Sequence, residues 1–179
     1  MAQTAGRQEA SLLASAGAGD EIAFRRIIAA HHDDMRKVCM AIAEDRAIAE
    51  EATQSAWVIA WKRLGDVREP SHLRPWLVTV AANEAKQLLR KRKRRAEVEV
   101  TADAARVPGG VDPATDVADI DVRDAMARLD PDDRALLALR YVAGFDSNEL
   151  AKASGISASG MRNRLERLLK RLREELDHG

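Results

Sequence analysis

The stretch Asp146-Ser147-Asn148-Glu149-Leu150-Ala151-Lys152-Ala153-Ser154-Gly155-Ile156-Ser157-Ala158-Ser159-Gly160-Met161-Arg162-Asn163-Arg164-Leu165 decides the fold. It reads as a helix, a glycine-centred turn and a second helix rich in arginine. Asp146 suits the N-cap of the first helix, and Glu149 three residues later completes a capping-box pattern. Leu150 and Ala151 face inward. Gly155 supplies the left-handed backbone that a tight turn requires. Ser157 or Ser159 caps the second helix. There Met161, Leu165, Leu168, Leu172 and Leu176 recur at three- and four-residue steps and make one apolar face. Ser159, Asn163, Glu166, Arg167 and Lys170 fall on the opposite face, with Arg162 on its flank. Side chains of these types read base edges or grip phosphate. A charged helix face is more often simply solvated, but the turn pattern upstream favours a helix-turn-helix that docks on DNA.

The composition sets the bounds. At 179 residues the chain is one domain or two small ones. Strand signals are weak, because no long run alternates in β-branched residues, so the fold class is all-α. Basic and acidic residues number 29 each, which leaves a net charge of zero. For a DNA binder the distribution matters more than the sum. Residues 1–95 are mildly basic, 96–133 strongly acidic and 134–179 basic again. Cys39 is the only cysteine, so no intrachain disulfide is possible, and its apolar helical surroundings predict a buried side chain. No stretch has the roughly 20 apolar residues of a membrane span, and the N-terminus lacks a signal-peptide plan. A cytoplasmic protein without membrane insertion is expected. His31 and His32 are adjacent and cannot share a helix face, so no metal site is expected. The chain lacks a glycine-rich phosphate loop and a nucleophile motif, which argues against an enzyme and against a cofactor.

Along the chain, residues 1–18 are small and polar and read as a frayed, disordered tail. A first domain over 19–95 begins with a helix near Asp20, striped by Ala23, Phe24, Ile27, Ile28, His31, Met35, Val38 and Ile42. A second helix spans about Arg46 to Leu64. It carries Trp57 and Trp61, of which at least one is expected in the core. Gly65 to His72 reads as a loop. A third helix from about Leu73 to Arg95 carries Leu73, Trp76, Leu77, Val80, Glu84 and Leu88 on one side. Thr79, Asn83, Lys86 and Arg90 form a polar ribbon on the other. Its basic end, Arg90-Lys91-Arg92-Lys93-Arg94-Arg95, fits a phosphate track.

Residues 96–117 are acidic and broken by Pro108-Gly109-Gly110 and Asp112-Pro113, which predicts a flexible linker. In the second domain, 118–179, Ile120, Ala125 and Leu129 suggest a helix. Asp130 then caps another with Pro131 at its first position. That helix, with Leu136, Leu137, Leu139 and Val142, stops at Gly144. Four helices packed as one domain are expected here.

These residues together resemble the extracytoplasmic-function (ECF) sigma factors of bacterial RNA polymerase, over nearly all of Asp20 to Leu176. Asp20-Glu21-Ile22-Ala23-Phe24 is similar to the opening of sigma region 2. Ala49-Glu50-Glu51-Ala52-Thr53-Gln54 is similar to the motif that meets the β′ clamp helices. Pro75-Trp76-Leu77-Val78-Thr79-Val80-Ala81-Ala82-Asn83 is similar to the helix that reads the minus-10 element. Residues 120–176, with Arg140-Tyr141, are similar to region 4, which reads the minus-35 element. Gln87, Ala82, Gly160, Met161 and Glu166-Arg167-Leu168 depart from common family residues, and the departures bear on which promoter is read.

The resemblance implies a protein that directs core polymerase to promoters and performs no bond chemistry. Its partners would be core polymerase (β′ clamp helices and β flap), promoter DNA and, as for many relatives, an anti-sigma factor. Glu50, Glu51 and Gln54 would face polymerase. Thr79, Asn83, Lys86 and Arg90 would face minus-10 DNA, with the loop from Arg68 to His72 holding a flipped base. Ser159, Arg162, Asn163, Glu166, Arg167 and Lys170 would face minus-35 DNA. The acidic linker resembles those threaded along the polymerase RNA path. The alternative is a two-domain helix-turn-helix regulator that acts without being a polymerase subunit. Such a protein should offer a ligand pocket or phosphoacceptor in its N-terminal half.

Overall fold

A computed structural model describes residues 2–99 and 117–177. The described residues form helices joined by short turns, with no strand among them. Helix α1 (Ala2–Gly17) replaces the expected tail. Leu13 and Ala16 are buried, and α1 packs on α2 and on a 3-10 turn at Leu64–Asp66. Glycines on both sides allow this approach, since a Cβ on Gly17 would lie 3.2 Å from the Gly65 Cα.

Helix α2 (Glu21–Ala43) starts where Asp20 accepts hydrogen bonds from the amides of Ile22 and Ala23. Its apolar stripe, including Phe24, Ile27, Met35, Val38 and Ile42, is buried as the sequence predicts. Helix α3 (Arg46–Arg63) is capped by Asp45, which accepts from the Ile48 amide at 3.1 Å. Its buried face includes, beside Ile48, Thr53 and Trp57, the alanines Ala49, Ala52, Ala56 and Ala60. Side chains this small let α2, α3 and α4 approach closely. Trp57 is buried, whereas Trp61 is 40% exposed. Both rings meet Phe24 edge-on, at 5.8 and 4.8 Å between centroids.

Helix α4 runs Pro70–Glu99, longer at both ends than the sequence suggests. Pro70, Ser71 and His72 therefore lie in its first turn and not in a loop, consistent with the preference for Pro where an N–H has no helical partner. Its core face also differs. Leu73, Leu77, Val78, Ala81, Ala82 and Ala85 are buried, while Trp76, Val80 and Leu88 pack only partly against the core. A reading weighted to large apolar residues misses an inner face made partly of alanine. The expected linker lies outside the described residues over 100–116.

In the second half, α5 (Val117–Arg128) precedes α6 (Pro131–Leu137), which Asp130 caps by accepting from the amides of Asp132 and Asp133. A π-helical turn, Ala138–Val142, follows. It buries Ala138 and Leu139 but leaves Val142 46% exposed, contrary to the apolar face expected there. Helix α7 (Ser147–Ser154) carries the predicted capping box. The Glu149 amide donates to Asp146 at 2.8 Å and the Asp146 amide donates back to Glu149 at 2.7 Å. Gly155 takes the left-handed conformation, with φ +69°. Helix α8 (Ala158–Asp177) buries Met161, Leu165 and Leu168.

The two halves are docked on each other. Helix α6 packs against α2 and α4, and the π-helical turn packs against α2. Buried side chains from both halves form one continuous apolar cluster.

Candidate nucleic-acid and polymerase interfaces

The outer face of α8 is built as the sequence predicts. Ser159, Arg162, Asn163, Glu166, Arg167 and Lys170 are all exposed. Ser157, the residue before α8, caps it by accepting from the Gly160 amide at 3.1 Å. Lys170 pairs with Glu174 across one turn at 3.8 Å. The rotation of the helix is set from its other flank. Asp133, only 4% exposed, accepts from Arg164 at 2.9 Å and from Arg171 at 2.5 Å. These arginines are seven residues apart and share one side of α8. Burial works to raise the Asp133 pKa, but the two guanidinium hydrogen bonds outweigh it and hold the carboxyl below its ordinary range.

Between the π-helical turn and α8 lies a groove lined by Arg140, Tyr141, Ser147, Arg162, Leu165, Glu166, Leu169 and Arg173. Arg140 donates to the Phe145 carbonyl at 2.7 Å, and Tyr141 is 59% exposed. Sequence reasoning did not place Arg173 at a site. Its position beside Leu169 on the flank of the apolar stripe was the available signal.

On α4 the ribbon residues are on one side, in different states. Asn83 is exposed. The Thr79 hydroxyl donates to the Pro75 carbonyl at 2.8 Å. Lys86 pairs with Asp132 at 3.3 Å, and Arg90 also pairs with Asp132. His72 is exposed at the start of the helix.

Glu50, Glu51 and Gln54 are exposed on α3. Arg46 donates to Glu50 at 2.8 Å, while Glu51 makes no ion pair among the described residues. Val58, 55% exposed, and Trp61 continue the face of Glu51 and Gln54. The sequence signal for Val58 was its position opposite the alanine row. An acidic patch leading into an exposed apolar one suits a protein partner with a basic rim.

Cys39 is buried, and burial pushes its thiol up to about 11. It is no nucleophile at neutral pH. The described residues hold no cluster of His, Cys, Asp and Glu suited to a metal. Among them no helix is long and apolar enough to cross a membrane.

An all-α chain with a capped helix-turn-helix in one half and a long basic helix in the other defines a class of DNA-binding transcription protein. The family model for sigma-70 region 2 matches residues 27–95, and that for sigma-70 region 4 matches residues 119–172. The chain belongs to the sigma-70 family of RNA polymerase sigma factors, and within it to the ECF type. It is 31% identical over 92% of its length to the "Probable RNA polymerase sigma factor RfaY" of Xanthomonas campestris, of which the match spans only 43%. It is 28% identical to the RNA polymerase sigma factor CarQ of Myxococcus xanthus, over 88% of this chain and 91% of that one. The ECF sigma factor SigM of Mycobacterium tuberculosis is 27% identical, over 93% of this chain and 83% of its own. The fold is similar to that of the sigma factor RpoE of Bartonella quintana, solved with the anti-sigma factor NepR. The TM-score is 0.69 at 23% identity, covering 86% of this chain and 96% of that one. CnrH, solved with the cytosolic domain of CnrY, gives a TM-score of 0.66 at 23% identity, over 95% of this chain and 97% of that one.

Proposed function

We propose that this sigma factor divides its work among three helices. The face of α3 formed by Glu50, Glu51 and Gln54, continued by Val58 and Trp61, docks on core polymerase. The ribbon of α4, Thr79, Asn83, Lys86 and Arg90 with His72, engages the minus-10 element and helps open it. The outer face of α8, Ser159, Arg162, Asn163, Glu166, Arg167 and Lys170, engages the minus-35 element. The observation that carries this reading is α8 itself. Its polar face is wholly exposed, and its opposite side is anchored by buried Met161, Leu165 and Leu168.

The protein acts by binding alone, in the cytoplasm, and catalyses no bond change. The sigma factor RpoE of Bartonella quintana, whose fold this chain shares, was solved with an anti-sigma factor, and control by a partner of that kind is part of the proposal here. Size-exclusion chromatography with core polymerase and a labelled promoter fragment tests the division. The protein should co-elute with core and bring the fragment with it. Binding of DNA with no affinity for core would favour the regulator that works without polymerase.

A further inference from the structure

Helix α8 carries a lone carboxylate in the middle of its exposed face. From Ser157 to Arg173 the only acidic residue is Glu166, set among Arg162, Arg164, Arg167, Lys170, Arg171 and Arg173. Glu166 is exposed and makes no ion pair among the described residues. Two cations are its neighbours along the helix, Arg162 one turn before it and Lys170 one turn after. A glutamate four residues ahead of a lysine is the better orientation for a helical ion pair. Lys170 nevertheless pairs with Glu174, at 3.8 Å. Arg164 and Arg171 are held by Asp133 on the other flank.

We propose that Glu166 is a specificity-determining residue of the minus-35 interface, which selects a cytosine at one base pair by accepting a hydrogen bond from its N4 amino group. The proposal rests on the reading of α8 as the minus-35 helix. An ionised carboxylate only accepts hydrogen bonds, and DNA phosphates repel it. On a DNA-facing surface it costs affinity unless it meets a donor. In the major groove the donors are the exocyclic amino groups of cytosine and adenine. Adenine presents its N7 acceptor beside the amino group, and that lone pair opposes a second carboxylate oxygen. Cytosine has no acceptor of its own on that edge, so it is the better partner.

Its place on the helix fits a base reader. Ser159, Asn163 and Glu166 follow at steps of four and three residues, which sets them in one row. Buried Met161, Leu165 and Leu168 turn that row outward. The row is about 10.5 Å long at 1.5 Å per residue, close to three base-pair steps of ~3.4 Å. In a helix-turn-helix the N-terminal part of the recognition helix meets the base edges. Glu166 lies in the first half of α8, Ala158–Asp177.

The cations around it divide the work. Arg162 and Arg167 are exposed and make no ion pair among the described residues, which leaves them free for guanine or phosphate. Removing the carboxylate should therefore act in two directions. Binding to the selected sequence loses the amino contact, while binding to every other sequence loses a repulsion.

The test uses the holoenzyme, core polymerase carrying the full chain, and a duplex library randomised across the minus-35 and minus-10 segments. Wild type should select cytosine on one strand at one minus-35 position. With Glu166→Ala that position should become degenerate, and the rest of the selected pattern should stay. With Glu166→Gln it should turn to adenine, because an amide pairs with adenine N6 and N7 together. Replacing the selected cytosine by 2-pyrimidinone, which lacks the amino group, should weaken wild-type binding about tenfold and leave Glu166→Ala binding unchanged. Circular dichroism confirms that both variants are folded. The proposal is overturned if Glu166→Ala selects the wild-type sequence, if it changes affinity by one factor on every sequence, or if the base it ceases to select is not cytosine. Failure of the underlying reading looks different. If wild type prefers no base at any minus-35 position while its minus-10 preference is intact, α8 is not the reader, and the role of Glu166 falls with it.

Discussion

Asp133 of α6 and Arg164 of α8 meet at 2.9 Å, with the carboxylate side chain 6% exposed and the guanidinium 39% exposed. The carboxylate also holds Arg171, so one buried group fixes two points on α8. Asp133→Asn should destabilise the protein by about 2 kcal/mol. That is less than the ~3–5 kcal/mol typical of breaking a fully buried pair, because both arginines stay partly in water. Urea unfolding of the variant measures it.

The same carboxylate predicts an acid limit. Its pKa is depressed in the folded state by its arginine partners, against the opposing effect of burial. Its contribution is therefore complete above the unfolded value, near pH 4, and is lost as pH falls through the lower folded value. Wild-type stability should drop below about pH 4 more steeply than that of Asp133→Asn. Parallel slopes for the two proteins would contradict this.

Arg167 projects from the exposed face of α8. Arg167→Ala should weaken minus-35 binding by about 1–3 kcal/mol and relax preference at one base pair. Fluorescence anisotropy across a set of single-base variants is the measurement. Equal loss on every sequence would make Arg167 a phosphate contact.

Asn83 is exposed on α4 in the ribbon that includes Lys86 and Arg90. Asn83→Ala should impair promoter melting more than binding to core. Permanganate footprinting reads the bubble directly, and a normal bubble rules the role out.

Glu51 has no ion partner in the described structure, and Val58 and Trp61 extend its face. Glu51→Arg should remove competition for core polymerase while the helical content stays at the wild-type level, since the residue is exposed. A folded variant that captures core with unchanged affinity would take Glu51 off the docking surface.

What could be read from the sequence was local. The Asp146–Glu149 capping box, the Asp130 cap before Pro131 and the left-handed Gly155 each depend on residues a few positions apart, and all three form. The apolar row of α8 was legible because its leucines are large and periodic. The inner faces of α3 and α4 were harder to read, because alanine carries little hydrophobic signal yet permits the closest helix contacts. The first helix was missed for a related reason: among its described side chains Leu12, Leu13 and the small Ala16 pack on the core, beside a glycine pair that sequence reading treats as a breaker. The contact of Asp132 with Arg90 joins residues 42 positions apart, and no local pattern announces it. On the candidate site, the exposed faces of α3 and α8 were legible, but the engagement of Lys86 and Arg90 by the other half was not.

Transcription reconstituted from purified core polymerase on a library of genomic fragments tests the central claim most directly. Adding this protein should start transcripts from a small set of fragments that share two sequence elements, one near minus 35 and one near minus 10. Initiation should fail with Glu51→Arg. Transcripts that are the same with and without the protein would contradict the account.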